Sequence, residues 1–171
     1  MAKSLRQRRH KSRILAMQAI FQIDSLPPGT ASAAELSSFK WVDYPVPDEE
    51  REFARRIITL TLEHLDSVDK IISERLVNWE LNRISPVSRA ILRTGVAQLL
   101  YLKEEADAAV VIDEAILMAK QYDSQETTPF INGLLDDVRR MNNSGGTAAG
   151  SDRPLPKLAE KIKLKKKLSK K

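Results

Sequence analysis

The densest early cluster of charged side chains is the stretch SLRQRRHKSR, residues 4–13, with five Lys or Arg residues and no acid. Lysine and arginine side chains neutralise phosphates and release the counterions of a polyanion, so such a stretch can bind nucleic acid. Two other interpretations are a solvated helix edge and an organelle transit peptide, which is also rich in arginine and poor in acids. His10 lies inside the run, and we expect it to contact solvent or phosphate.

Charge is segregated along the 171 residues, whose net charge is +5. Residues 1–13 carry +6, residues 14–150 carry −8 and residues 151–171 carry +7. An acidic body with two cationic ends attracts phosphate or acidic surfaces. Residues 141–171 are predicted to be a flexible linker followed by a lysine-rich tail. That tail either adds nonspecific contact with a polyanion or serves only for solubility.

Apolar residues recur with the period of an α-helix along most of the chain, and no segment alternates strictly enough to predict a strand. The fold class is therefore predicted to be all-α. Residues typical of helix starts support this prediction, with Asp48, Ser85 and Asp107 expected as N-caps and Pro86 at a first helical position. The predicted helical segments are 12–23 with an extension back through the basic run, 33–39, 48–65, 68–79, 85–102, 108–121 and 126–140.

Residues typical of catalytic or metal sites are scarce. The sequence has no cysteine, no phosphate-binding GxxxxGK[ST] or GxGxxG motif, and two isolated histidines, His10 and His64. Adjacent acids such as Glu104 and Glu105 point to different faces of a helix, so they do not form a shared acid–base pair. We therefore expect no enzyme activity, no cofactor and no metal. The lack of cysteine fits a reducing compartment, and we expect a cytoplasmic protein.

Three segments carry a family resemblance: RRHKSRILAMQAIF (8–21), NRISPVSRAILRTGVAQLLY (82–101) and VVIDEAILMAKQYDSQETTPFINGLLD (110–136). In this order and spacing they resemble the NusB family of transcription antitermination factors. The resemblance implies a fold of two packed helical bundles with about seven helices. It places a NusB-like RNA-binding domain at residues 1–140, before the linker and tail.

The function that this resemblance implies is binding to boxA RNA in nascent ribosomal transcripts, together with NusE, a small-subunit ribosomal protein. The complex would join RNA polymerase and other Nus factors and help the polymerase to read through terminators. Two alternatives stay open: a stand-alone RNA-binding module related to rRNA cytosine methyltransferases, and a helical protein–protein scaffold. The resemblance also leaves open whether the chain forms a homodimer.

The resemblance also assigns roles to single residues. RNA contact is implied for the basic run and for an aromatic residue at the end of the first helix, namely Arg8, Arg9, Lys11, Arg13 and Phe21. Contact with NusE is implied for Phe21, Glu126 and Phe130. Both phenylalanines lie on apolar stripes, so core packing is the alternative for each, and Glu126 could instead stabilise the first turn of a helix.

Overall fold

Seven α-helices make up the part of the chain that the computed structural model describes, residues 3–145, and no strand occurs in that part. This confirms the all-α prediction. The predicted lysine-rich tail at 151–171 lies outside the described residues. The helices are α1 (Leu5–Gln22), α2 (Ala33–Leu36), α3 (Asp48–Glu63), α4 (Leu65–Ser73), α5 (Pro86–Tyr101), α6 (Ala108–Tyr122) and α7 (Thr128–Asn143).

Side-chain caps begin α5 and α6 as predicted. The Ser85 hydroxyl accepts a hydrogen bond from the backbone N–H of Ser88 at 3.0 Å, and Pro86 occupies the first turn. The Asp107 carboxylate accepts one from the N–H of Ala109 at 2.8 Å. The expected cap at the start of α3 is wrong by one residue, since Pro47 is the N-cap and Asp48 begins the helix. An extended residue before the helix is a role that proline fills well, because its φ is already restricted.

Two helix ends differ from the predicted segments. α4 ends at Ser73, whereas the apolar period predicted a helix to residue 79, and Asn78 has a positive φ of 62° that helical backbone does not allow. α7 continues to Asn143, three residues beyond its predicted end. Leu76, beyond the end of α4, is buried, and Met141, near the end of α7, packs against the core, so the spacing of apolar residues alone does not show where a helix stops.

The central helix is α5, which packs against α1, α3, α4, α6 and α7. Helices α1, α3 and α5 form one bundle, and α5, α6 and α7 form the second, so the two bundles share α5. Gly95 lies on α5 where α7 approaches, and a Cβ atom there would stand 3.0 Å from the Cδ2 atom of Leu135. None of the helices in residues 3–145 is both long enough and apolar enough to cross a membrane.

Ion pairs join α5 to its neighbours on one side of the core. The Arg93 guanidinium, which is nearly buried, donates to Asp69 on α4 at 2.7 Å and to Asp24, just after α1, at 3.0 Å. Burial alone would lower the pKa of Arg93, but the two carboxylates outweigh it and raise that pKa. Arg89 adds a second contact to Asp24 at 2.8 Å. These pairs fix α1 and α4 against the same face of α5.

Replacement of Arg93 by methionine is expected to lower the free energy of unfolding by about 2–4 kcal/mol, because it leaves the partly buried Asp69 carboxylate without its cation and leaves Asp24 paired with Arg89 alone. Denaturation in urea, followed by circular dichroism, measures the change. Arg83→Met is the matched control, since Arg83 is exposed and its one ion pair within residues 3–145 is with the exposed Glu80. We expect the control to change stability by less than about 0.5 kcal/mol. Equal losses in both variants would contradict a special role for Arg93.

Candidate nucleic-acid interface

The basic run is helical from its start because Ser4 forms a capping box with Gln7. The backbone N–H of Gln7 donates to the Ser4 hydroxyl, and the N–H of Ser4 donates to the Gln7 side chain at 2.9 Å. The following basic residues therefore point in fixed directions around α1. The structure divides them among three environments: the core, a groove toward α3 and a cleft toward α6.

Arg13 points into the core. The residue is 3% exposed, and its Nε atom donates to the side-chain amide oxygen (Oε1) of Gln98 at 2.8 Å. Burial lowers the pKa of Arg13; the Glu114 carboxylate opposes this shift, and the neighbouring Arg9 adds to it. The burial of Arg13 and its bond to Gln98 favour a structural role over the contact with RNA that the resemblance implied.

Arg8 and Arg9 line the α1–α3 groove, the surface formed by Leu5, Arg8, Arg9, Asp48, Glu49, Glu52, Phe53 and Arg56. Arg8 forms an ion pair with Glu49 in the first turn of α3. Arg9 donates to the backbone carbonyl of Glu105, in the turn between α5 and α6, and its guanidinium lies over the Phe53 ring. Three arginines face three carboxylates here, so the groove itself is close to neutral.

The α1–α6 cleft, lined by Lys3, Arg6, Gln7, His10, Lys11, Glu114 and Leu117, is the more cationic surface. Lys3 is paired with Glu50 at 2.8 Å. Arg6 and Lys11 are exposed, and neither forms an ion pair with any residue in the described range 3–145. Three Lys or Arg residues face one carboxylate in this cleft, so it is where the structure best accommodates a polyanion.

His10 joins the cleft to the core. Its Nδ1 atom lies 2.5 Å from an oxygen of Glu114, whose side chain is buried. Besides the contact with solvent or phosphate that the sequence predicts, His10 therefore has a structural contact, because a buried carboxylate needs a hydrogen-bonding partner and His10 supplies it. This contact connects α1 to α6 directly beneath Arg6 and Lys11.

The two candidate phenylalanines fall in different environments. Phe21 is 38% exposed near the end of α1, about 20 Å along the helix axis from Arg8. Phe130, in the first turn of α7, is 6% exposed and belongs to the core, which favours the core-packing alternative for this residue. Glu126 is exposed in the short 3-10 turn Gln125–Thr127, which precedes α7.

Arg6 is a candidate residue that reasoning from the sequence did not select. Arg9 and Arg13 turn toward the Phe53 ring, whereas Arg6 lines the α1–α6 cleft. The sequence signal that could have identified Arg6 is its position before the apolar part of α1 begins.

Within residues 3–145, no three or more His, Cys, Asp or Glu side chains come together in a way that could hold a metal ion.

Comparison with known proteins gives a consistent result. Residues 10–140 match the model of the NusB family. The chain is 38% identical to the transcription antitermination protein NusB of Leptospira biflexa over 129 residues, which are 75% of this chain and 89% of that protein.

Solved structures with the same fold come from the same group of proteins. A structure of T. maritima NusB has a TM-score of 0.69 and 32% identity, and the match covers 81% of this chain and 93% of that one. A crystal structure of the antitermination factors NusB and NusE in complex with double-stranded RNA has a TM-score of 0.63 and 24% identity, covering 78% and 97%. At this lower identity the likeness shows the fold alone.

The burial of Arg13 predicts that its replacement affects stability first. Arg13→Gln is expected to lower the free energy of unfolding by about 1–3 kcal/mol, because Gln98 loses its donor and a packed side chain is shortened. Lys11→Gln removes one charge two residues away and should change stability by less than about 0.5 kcal/mol. Urea denaturation of both variants measures the difference. If both lose the same stability, Arg13 does not have the structural role that its contacts indicate.

Proposed function

We propose a function from one premise: the chain belongs to the NusB family. On that premise it is a transcription antitermination factor that binds boxA RNA together with NusE and helps RNA polymerase to read through terminators. It acts in the cytoplasm as a binding protein and catalyses no reaction. Its partners are the RNA, NusE and the polymerase complex with other Nus factors.

The observation that carries the RNA part of this proposal is the α1–α6 cleft. Arg6 and Lys11 keep their charges available at the surface, whereas Arg8 is paired with Glu49 and Arg13 is buried. Exposed cations on a rigid helix can bind several phosphates in succession without first breaking an internal ion pair. Sequence-specific RNA recognition usually concerns single strands, whose bases are accessible, and boxA would be read in that form.

The body of the chain suits a basic partner such as a ribosomal protein. Residues 14–150 carry a net charge of −8, which complements a cationic surface and raises the rate of encounter. Phe21 and Glu126 are both at the surface and stay candidates for contact with NusE. Weak contacts of the two proteins with one RNA would together give a higher affinity than either gives alone.

The lysine-rich residues 151–171 add a further element to the proposal. Their net charge of +7 favours contact with any polyanion, whatever its sequence. This contact would raise the affinity and the salt dependence of RNA binding. It would not discriminate boxA from another RNA, so specificity is assigned to the helical body and to NusE.

The double variant Arg6→Gln/Lys11→Gln tests the RNA site. We expect it to weaken boxA binding about tenfold or more and to reduce the slope of log affinity against log salt by about 1.4, because two phosphate contacts are lost. Fluorescence anisotropy with a labelled boxA RNA, with and without NusE, measures both quantities.

The matched control is Lys40→Gln/Lys70→Gln, which removes the same charge from exposed positions on other elements. It should keep most of the affinity for boxA. A scrambled RNA of equal length should bind more weakly than boxA and respond less to NusE. If both double variants lose affinity equally, or the scrambled RNA binds as well as boxA, the chain binds RNA only through its net charge.

Phe21→Ala tests the partner surface. The variant should fold as the wild type, because Phe21 is partly exposed. The factor by which NusE raises the affinity for RNA should fall about 5- to 10-fold, as expected for loss of an aromatic interface residue. Val77→Ala, at an exposed apolar residue, is the control. A Phe21→Ala variant that responds to NusE as fully as the wild type would remove Phe21 from the interface.

A further inference from the structure

Three arginine side chains surround one aromatic ring in the α1–α3 groove. The guanidinium carbons of Arg9, Arg13 and Arg56 lie 4.5, 5.3 and 5.7 Å from the centroid of the Phe53 ring. Phe53 itself is 4% exposed and belongs to the core between α1 and α3. A cation over the face of an aromatic ring is attracted by the negative charge of that face, so Phe53 holds these like charges near one another.

The three arginines differ in what else they contact. Arg13 is buried and donates to Gln98, and Arg56 forms an ion pair with the Glu105 carboxylate at 2.6 Å. Arg9 is partly exposed and pairs with no carboxylate among residues 3–145; its partner is the backbone carbonyl of Glu105. Arg9 is therefore the member of the cluster that is both partly exposed and without an ion pair to a carboxylate in the described residues.

The geometry leaves hydrogen-bond donors of Arg9 available. Contact with an aromatic ring uses the flat face of a guanidinium, whereas its five N–H groups lie along the edge. One of them donates to the Glu105 carbonyl. Arg56 binds the carboxylate of the same residue and so keeps this turn, and its carbonyl, beside Arg9. The remaining edge of Arg9 can donate two parallel hydrogen bonds to a phosphate.

We propose that Phe53 is a positioning residue for RNA binding. Its ring and the backbone carbonyl of Glu105 orient the Arg9 guanidinium before RNA binds, so that its free edge can donate two hydrogen bonds to one phosphate of the RNA. The proposal rests on the RNA-binding function proposed above and adds to the contacts of the α1–α6 cleft a further phosphate contact on the other side of α1. A flexible arginine loses rotamer freedom when it binds, and Arg9 has already lost much of that freedom in the free protein.

A double-mutant cycle tests whether Phe53 acts through Arg9. Phe53→Leu keeps an apolar side chain but removes the ring face, and we expect it to weaken boxA binding about 3- to 10-fold. In the Arg9→Gln background the same change should have almost no further effect on affinity. In the Lys11→Gln background, which alters the separate cleft, the two losses should multiply. Anisotropy titrations at several salt concentrations give all six affinities, including the wild type.

A second variant keeps the test independent of the stability of Phe53→Leu. Arg9→Lys retains the charge but has no planar fork and stacks less well, so it should bind boxA several-fold more weakly than the wild type. Thermal unfolding of each variant shows that the fold is retained.

The outcomes separate this proposal from the one on which it rests. If Phe53→Leu weakens boxA binding by the same factor in the wild-type background as in the Arg9→Gln background, Phe53 acts only through the fold and the proposal is overturned. Wild-type affinity in Arg9→Lys would overturn it as well. If the wild-type chain shows no preference for boxA over the scrambled RNA, the proposed function fails, whatever the coupling between Phe53 and Arg9.

Discussion

The fold depends on one helix, α5, that other helices cover on nearly every side. The polar side chains that this covering buries must find hydrogen-bond partners. α5 lies at the centre of both bundles, and its buried polar side chains bond to different neighbours. Arg93 pairs with carboxylates on α4 and after α1, Gln98 accepts from Arg13 of α1, and Ser88 donates to Asp123 after α6. An unpaired buried polar group is costly, so each of these bonds restricts where a surrounding helix can lie. Apolar packing alone would allow small shifts of register that these bonds exclude.

This constraint reaches the surface through α1. Because Arg13 must meet Gln98 inside the core, the rotation of α1 about its axis is determined, and every other residue of the basic run has an assigned direction. Arg8 and Arg9 then face α3, while Arg6 and Lys11 face α6. A basic run placed directly before the core is thereby presented on a rigid support. A free tail with the same composition would lose more conformational entropy on binding RNA.

Local sequence signals predicted the helices well but did not show which candidate site residues are exposed, for a physical reason. The caps at Ser85 and Asp107 act within three residues, so they can be recognised without knowledge of the fold. Phe21 and Phe130 both lie on apolar stripes, yet one is exposed and the other buried, because exposure depends on which helix covers the stripe. Likewise the partner of Arg13 lies 85 residues away. No pattern of spacing near Arg13 shows that a buried glutamine is present there.

The position of the basic run also opposes an elementary rule of helix electrostatics. The N-terminal turns of a helix favour acids, because the peptide dipoles leave positive charge there, yet the first turn of α1 has no acid. The acidic first turn of α3 lies alongside and supplies part of the missing negative charge through Glu49 and Glu50. These acids offset positive charge only in the groove toward α3 and at Lys3, at the start of the helix. On the side toward α6, Glu114 is the one carboxylate that lines the cleft with Arg6 and Lys11, and Arg6, in the first turn, adds to the positive end of the helix dipole. The free protein therefore carries there an electrostatic cost that a bound polyanion would relieve, and this is the physical basis for placing RNA against α1.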